Sequence, residues 1–363
     1  MIIIAGEKMR TRYWRVNPFH PEKNKIIEAA SFIRGGKTVA FPTETVYGLG
    51  ADAFNPEAVQ KIFIAKGRPA DNPLIVHVAH LSQLKKLVQE IPPEAALLIR
   101  QFWPGPLTLV LPKSREVPYG VTAGLDTVAV RMPRHKVALE LIRWAGCPIA
   151  APSANVSGKP SPTSAKHVLK DMYGAIGGIL DGGSTSVGIE STVLDFSSDV
   201  PTILRPGGVT KEQLEKLLKK VRLSPERENM NGNEFIPRSP GMKYRHYSPR
   251  GELYIIRGSI KKAVGKIREL VLNWQKEGKK VAVLCSRETH QYYQRNNFKA
   301  DLLIILGSRE DPKTVARKLY DALHWCDDKD MDIILVEEFP FEGIGYAVMN
   351  RIKKASGDRI IEL

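Results

Sequence analysis

Lys66 and Arg68 stand two positions apart in AKGRPADNP, and Ser153 and Asn155 stand two positions apart in APSAN. Two cations held that close repel each other, and an anionic ligand relieves the repulsion; Arg68 adds a planar fork that matches phosphate. The serine hydroxyl and the asparagine amide are neutral partners for the same kind of ligand. A local use of the cations stays open, because positive charge at a helix C-terminus is favoured by the helix dipole. Further candidates are Thr43, Glu44, Thr45 and Tyr47 in FPTETVYGLGAD (41–52), where Gly48 and Gly50 permit close backbone approach. His77 lies in LIVHV (74–78), Arg131 ends TVAVR (127–131), Ser191 lies in ESTV (190–193) and Arg205 in LRPGG (204–208). Arg131 closes a run that otherwise reads as buried, so it should face a pocket and an acidic group. A histidine on a strand serves structure more often than catalysis. Ser161 and Thr163 are expected at the start of a helix whose free N–H groups suit phosphate, with plain capping as the other use.

The missing patterns narrow the chemistry. The chain has no GxxxxGK[ST], no GxGxxG after the first strand, no HExxH, no GxSxG and no zinc-type Cys/His spacing. Nothing reads as a covalent nucleophile. Hydroxyls, amides and cations remain, which suits the positioning and charge stabilisation of phosphoryl chemistry.

These residues need a scaffold, and the apolar pattern supplies one. Strand-like and helix-like runs alternate through most of the 363 residues, which predicts α/β layering on a largely parallel sheet. A helix is expected over 22–34, with Gly35 and Gly36 stopping it before a short buried strand at 38–41. Asn55 should cap the next helix, with Pro56 at its first position, Val59, Ile62 and Phe63 as its buried stripe and Gly67 at its end. Strands are expected at 74–78, 107–111, 127–131, 148–151 and 191–196, placing FPTETVYGLGAD and APSAN in loops at strand ends, where open α/β sheets bind ligands. Thr210 and Gln213 have capping-box spacing and open a helix expected to reach Lys220. The stretch 222–251 is polar, rich in Pro, Gly, Asn and Arg, and without periodicity, so it reads as a linker. A second alternation from Leu253 onward reads as a small doubly wound domain.

Composition is that of a soluble globular chain, 43% hydrophobic and 26% charged. No apolar run approaches the roughly 20 residues of a membrane span, and no signal peptide is legible, so a cytoplasmic location is expected. Cys147, Cys285 and Cys326 are odd in number and far apart, which suits a reducing compartment. The net charge of +15 favours anionic partners: nucleotides, pyrophosphate or nucleic acid. Many of the cations fall in runs such as LEKLLKK (214–220), where a solvated helix face is the plainer use.

Taken in order, PTETVYGLG, KGRPADNPL, WPGPLT, TVAVRMP, APSAN, ESTV and LRPG resemble the YrdC-like family of threonylcarbamoyl-AMP synthases over about residues 22–211. PGMKYRHYSP (240–249) and the segment after it resemble the long form of that family. The resemblance implies an N-terminal YrdC-like twisted open α/β sheet domain and a smaller C-terminal Rossmann-like α/β domain. It divides the chain into an extension (1–21), a catalytic domain (22–211), a linker or lid (212–251) and a C-terminal domain (252–363). The implied reaction converts L-threonine, bicarbonate and ATP, with Mg2+ carried by the phosphates and no organic cofactor, to threonylcarbamoyl-adenylate and pyrophosphate. The product would pass to a transferase complex that modifies the adenosine beside the anticodon of tRNAs reading ANN codons; direct tRNA contact is compatible with the charge but not required. By the same resemblance Thr45, His77, Arg131, the backbone at Ala151 and Ser191 hold threonine. Lys66, Arg68, Asn72, Thr127, Ser153, Asn155, Ser161, Arg205 and Tyr247 hold the nucleotide, with His246 beside Tyr247 in the linker. A basic RNA- or tRNA-binding module without catalysis is the alternative, and a carbamoyl-transfer enzyme stands further off because its additional zinc-finger-like and acylphosphatase-like segments are missing.

Overall fold

The apolar runs pair into two separate sheets in the computed structural model, which describes residues 10–224, 247–295 and 298–363. The first sheet contains β1 (Arg12–Arg15), β2 (Val39–Phe41), β3 (Gly48–Asp52), β4 (Ile75–His77), β5 (Leu107–Pro112), β6 (Thr127–Arg131), β7 (Ile149–Ala150), β8 (Gly178–Asp181), β9 (Thr192–Asp195), β10 (Thr202–Arg205) and β11 (Arg222–Leu223). Its order is β1-β8-β2-β3-β7-β4-β6-β5-β9-β10-β11. The expected parallel character is only half realised. β4–β6 and β5–β9 run parallel, whereas β2–β3, β3–β7, β4–β7, β5–β6 and β9–β10 run antiparallel. The reason is local: FPTETVYGLGAD is a tight turn plus a strand, so the chain folds straight back on β2 instead of crossing over a helix. Gly50 is required by that return, since a Cβ there would meet Ile149 Cγ2 at 2.6 Å and Phe41 Cε1 at 2.7 Å. The close approach is therefore to neighbouring side chains.

Two further boundaries differ from expectation. β1 pairs in parallel with β8, so part of 1–21 is built into the sheet. The helix after Thr210 has its capping box but spans only Lys211–Glu215, and β11, inside the expected linker, pairs with β10. Elsewhere the punctuation is as read: Asn55 Oδ1 accepts from Ala58 N–H at the start of helix Pro56–Lys66, and Gly67 ends it in the left-handed region at φ 58°. The first helix starts at Lys23, with Glu22 at its N-cap.

Helices cover both faces of the first sheet, giving one core around Tyr47, Ile62, Leu74 and Leu109 and another around Ile26, Phe41, Leu141 and Ile149. The second sheet holds β12 (Glu252–Arg257), β13 (Val281–Ser286), β14 (Leu302–Gly307), β15 (Ile333–Glu337) and β16 (Ile360–Glu362), in the order β14-β13-β15-β12-β16, all parallel. Helices Pro312–Asp328 and Ile344–Ser356 pack on the side facing the first sheet's loops. There Val46, Ile189 and Tyr247 join Leu319, Tyr320, Val348 and Met349 in one apolar cluster. The two sheets thus share a packed seam at the rim of the pocket described next. Among the described residues no helix is long and apolar enough to cross a membrane.

Candidate functional site

A cleft partly open to solvent lies where the turn before β3, the ends of β4 and β6, the loop after β7 and the segment leading into β9 converge. Its walls include Thr43, Thr45, Lys66, Arg68, His77, Arg131, Ala151, Ser153, Asn155, Glu190, Ser191, Arg205 and Tyr247. All the residues expected to hold threonine are here. Of those expected to hold the nucleotide, Asn72, Thr127 and Ser161 are not among the lining residues.

The loop Ser153–Asn155 is wired in place by backbone and by a buried cation. Leu49 N–H donates to Pro152 O at 2.8 Å and Ala154 N–H to Tyr47 O at 2.9 Å, so the loop continues the edge of β3. Lys66 Nζ donates to Ser153 O and Asn155 O, both at 2.5 Å, and Ser157 N–H donates to Lys66 O at 2.9 Å. The expectation of an exposed phosphate grip at Lys66 is corrected: its side chain is buried, and burial first, then the Arg68 charge, hold its pKa well below the ordinary lysine value. Lys66 anchors the loop. Lys66→Met should therefore lower folding stability by about 1.5–3 kcal/mol, the range for hydrogen bonds to a charged group, and make the loop more open to proteolysis. A melt and a proteolysis pattern indistinguishable from the parent would overturn the anchoring role.

Arg68 lies beyond the left-handed Gly67, partly exposed, with Nη2 donating to Asn72 O at 3.1 Å and Pro73 O at 3.3 Å. That explains Asn72: its backbone braces Arg68, while its side chain is fully buried away from the cleft. Thr127 is displaced for a simpler reason. It occupies the opposite end of β6 from Arg131, about 13 Å away at the usual rise per strand residue.

On the other side of the cleft, Arg131 does face an acid, and the acid is Glu44. Arg131 Nη2 donates to Glu44 Oε2 at 2.9 Å and Nη1 to Thr45 Oγ1 at 2.9 Å, with both charged side chains at 3% exposure or less. Arg131 Nε has no hydrogen-bond partner. Thr43 Oγ1 donates to Val46 O at 2.7 Å and closes the turn that presents Thr45. His77 stands edge-on to Phe41, its Nδ1 unpartnered, and burial, then the Arg131 charge, push its pKa down to about 3. At neutral pH it is uncharged. Ala151 spends its N–H on Ile75 O, leaving only its carbonyl for a ligand. Tyr47, a candidate by sequence, points away from the cleft and is held by Gly183 O at 2.7 Å.

Ser191 and Arg205 form one unit. Arg205 donates from Nε and Nη2 to Ser191 O at 3.2 and 3.1 Å, and from Nη2 to Ser191 Oγ at 3.2 Å. Gly207 permits it, since a Cβ there would lie 2.3 Å from Glu190 O and 2.4 Å from Thr192 N. Ser161 is turned toward Glu190, donating to Oε1 at 2.6 Å, and the nearby helix starts only at Ala165 behind Ser164. Tyr247 lines the cleft, buried, at φ 66°; His246 lies outside the described residues.

Glu190 was overlooked in the sequence. Burial pushes its carboxyl up, but Arg351, Arg205 and the Ser161 hydroxyl outweigh that and hold it at about 2. A buried carboxylate between Ile189 and Ser191 is the signal that could have been used, because such a charge requires a cation partner. The partner is Arg351, which sits on the same helix face as Ala347, Val348 and Ile352.

The depressed values set an acid limit. For Glu190 (ordinary 4.5) and for His77, His135 and His324 (ordinary 6.5, here about 3, 4 and 4), the unfolded chain takes up protons before the folded one does. Their stabilisation is therefore fully present above the ordinary values and is lost as pH falls toward the folded ones. Melting temperature should be level from pH 8 to 7, fall below pH 6.5 and fall faster below pH 4.5, although Glu337 and Asp327, raised chiefly by burial, act in the opposite sense. Level melting temperatures down to pH 4 would contradict this.

Among the described residues no group of three or more His, Cys, Asp or Glu side chains is arranged to hold a metal ion. The carboxylate that lines the cleft, Glu190, is already engaged by Ser161, Tyr320 and Arg351.

The chain as a whole is similar to known proteins. Residues 31–207 match the Sua5/yciO/yrdC family model, described as telomere recombination, and residues 209–357 match the model described as threonylcarbamoyl-AMP synthase, C-terminal domain. The chain is 52% identical over all its 363 residues, and over the full relative, to the threonylcarbamoyl-AMP synthase of Pyrococcus abyssi. It is 48% identical to that of Bacillus subtilis, with 97% of this chain and 100% of the relative covered. The crystal structure of P. abyssi Sua5 complexed with L-threonine superposes with a TM-score of 0.90 at 51% identity, covering 97% of this chain and all of the other.

Proposed function

Because the chain belongs to the threonylcarbamoyl-AMP synthase family in its long two-domain form, we propose that its cleft joins L-threonine, bicarbonate and ATP into threonylcarbamoyl-adenylate. The observation that supports this reading is that one cleft gathers both candidate sets: Thr45, His77, Arg131, Ala151 and Ser191, which include a guanidinium suited to a carboxylate, and Arg68, Ser153, Asn155 and Arg205, polar and cationic groups suited to a nucleotide.

In this mechanism the threonine amine takes up CO2 from bicarbonate, releasing water, and becomes a carbamate. A carbamate oxygen attacks the α-phosphorus of ATP, a new P–O bond forms, and the bond to the β-phosphate oxygen breaks, releasing pyrophosphate. No protein nucleophile is required. Arg131 is oriented by Glu44 and Thr45 and keeps its unpartnered Nε for the threonine carboxylate. Uncharged His77 adds no further charge to the niche. Arg68 offsets phosphate charge, while Ser153 and Asn155 border the nucleotide from a loop that Lys66 keeps rigid. Two anionic reactants are thereby held together, which is where most of the rate gain of such a reaction arises.

Mg2+ enters with the ATP phosphates. A hard cation that keeps water and phosphate oxygens as ligands fits a cleft whose own carboxylate is engaged elsewhere. Residues 22–211 with β1 form the catalytic unit and 252–363 the second domain, and Tyr247 of the intervening stretch lines the cleft. The product is a labile mixed anhydride, so it passes to a transferase acting on tRNA. The cell compartment is the cytoplasm, consistent with three free cysteines.

The test is pyrophosphate release by the purified chain. Release should require ATP, threonine and bicarbonate together and stop when Mg2+ is chelated. Release that ignores threonine would overturn the proposal, and no release at all would overturn it in favour of the RNA-binding alternative.

A further inference from the structure

The second domain meets Glu190, a residue of the cleft wall, with two buried side chains that the proposed reaction does not use. Arg351, fully buried, donates from Nε to Glu190 Oε2 at 2.7 Å and from Nη2 to Pro206 O at 2.9 Å. Tyr320 Oη lies 3.0 Å from both Glu190 oxygens. Ser161 completes the set from the first domain. The Arg351 guanidinium lies 5.4 Å from the centre of the Tyr247 ring, and the Tyr247 and Tyr320 rings are 5.4 Å apart. Gly188, at φ 84°, lets the chain press against helix Pro312–Asp328: a Cβ would meet Ala316 O at 2.3 Å and Arg317 Cα at 2.5 Å. Arg317 Nε donates to Ser186 O at 2.8 Å, so the stretch leading into Glu190 is tied to the second domain.

An ion pair used only to hold two domains together has no energetic advantage over apolar residues of the same volume, and the seam already contains such residues. What charge adds is direction. Arg351 grips two points, the Glu190 carboxylate and the carbonyl following Arg205, and between them lie Ser191 and Arg205, which bond each other and line the cleft.

We propose that Arg351 and Tyr320 are positioning residues for the reaction: through Glu190 and Pro206 they set the Ser191–Arg205 wall, so the catalytic cleft is complete only with the second domain docked. This inference rests on the synthase reading for its kinetic arm and stands independently of it for its structural arm.

The experiment compares full-length Arg351→Met, Tyr320→Phe, Glu190→Gln and the double variant Glu190→Gln/Arg351→Met with the parent, well below their melting temperatures. Misplacing a wall by a fraction of an ångström disturbs alignment more than binding. Arg351→Met should therefore lower kcat roughly 10–100-fold, and Tyr320→Phe by less, while threonine Kd from calorimetry moves by no more than about threefold. The double variant should be no worse than Arg351→Met alone, because partners that act as one unit are not additive. Without any substrate, the amides of Thr192, Gly208 and Val209, which bond Pro106 O, Glu190 O and Thr192 Oγ1, should exchange hydrogen faster in both Arg351→Met and Tyr320→Phe. If Arg351→Met does not fold, Tyr320→Phe decides, since it removes a single hydroxyl. A folded Tyr320→Phe with kcat within about twofold of the parent and unchanged exchange overturns the proposal. Should the parent show no threonine-dependent turnover, the synthase reading falls, and the exchange arm still decides whether the second domain sets this wall.

Discussion

Replacing Arg131 with methionine is expected to cost about 3–5 kcal/mol of folding stability and to reduce threonine-dependent pyrophosphate release by roughly 100-fold or more. The stability loss follows from what remains behind. Glu44 is 1% exposed, its Oε1 has no hydrogen bond, and Arg131 is its ion-pair partner at 2.9 Å. A carboxylate left alone in that position must either be dragged toward water or take up a proton, and both oppose folding. The activity loss has a different origin, the missing guanidinium for the threonine carboxylate, and the two can be separated. Arg131→Met combined with Glu44→Gln removes both charges, so denaturation midpoints should recover most of the way while turnover does not. Recovery of turnover along with stability would mean that the ion pair serves the fold alone and that threonine is bound by other groups.

Arg68→Ala should behave in the opposite way, with turnover falling about 100- to 1,000-fold and stability changing by less than about 1 kcal/mol. Arg68 is partly exposed, has a loop backbone on either side, and donates from Nη2 to two carbonyls of its own turn at 3.1 and 3.3 Å. Little of the core depends on it. In the proposed reaction it faces phosphate charge that moves onto departing pyrophosphate, so its contribution grows toward the transition state and appears in kcat as well as KM. Retained turnover in a folded Arg68→Ala would reduce the Lys66–Arg68 pair to a loop anchor and its neighbour. Lys66→Met provides the internal contrast, since Lys66 is the member of the pair with its ammonium already satisfied by Ser153 O and Asn155 O.

The sequence by itself determined the elements and the motifs. Asn55–Pro56 and Gly67 bound a helix, Thr210 and Gln213 make a capping box, and the strand runs at 74–78, 107–111 and 127–131 fall where they were read. These features depend on backbone preferences and on partners within a few residues, which is why residue order suffices to read them. The motif set was enough to identify the family, because seven ordered motifs jointly constrain the same cleft.

Tertiary structure alone decided which side each candidate serves. Lys66 and Arg68 are indistinguishable by spacing and both border the cleft, yet Lys66 is buried with its ammonium on the Ser153–Asn155 loop while Arg68 is partly exposed. Tyr47 and Thr45 are two residues apart, and only Thr45 meets Arg131, 86 positions away. Asn72, Thr127 and Ser161 sit in the right motifs but turn to a backbone brace, a far strand end and Glu190. The parallel sheet expected from alternating strands and helices became mixed because the turn at 42–47 sends β3 straight back along β2. Glu190 is the clearest case. Its partners Tyr320 and Arg351 are 130 and 161 positions away, on helices of another domain, and no local pattern encodes a bond of that reach. The candidate anion-binding cluster was legible from residue types, whereas the Ser191–Arg205 wall beside it depends on where two sheets distant in sequence meet.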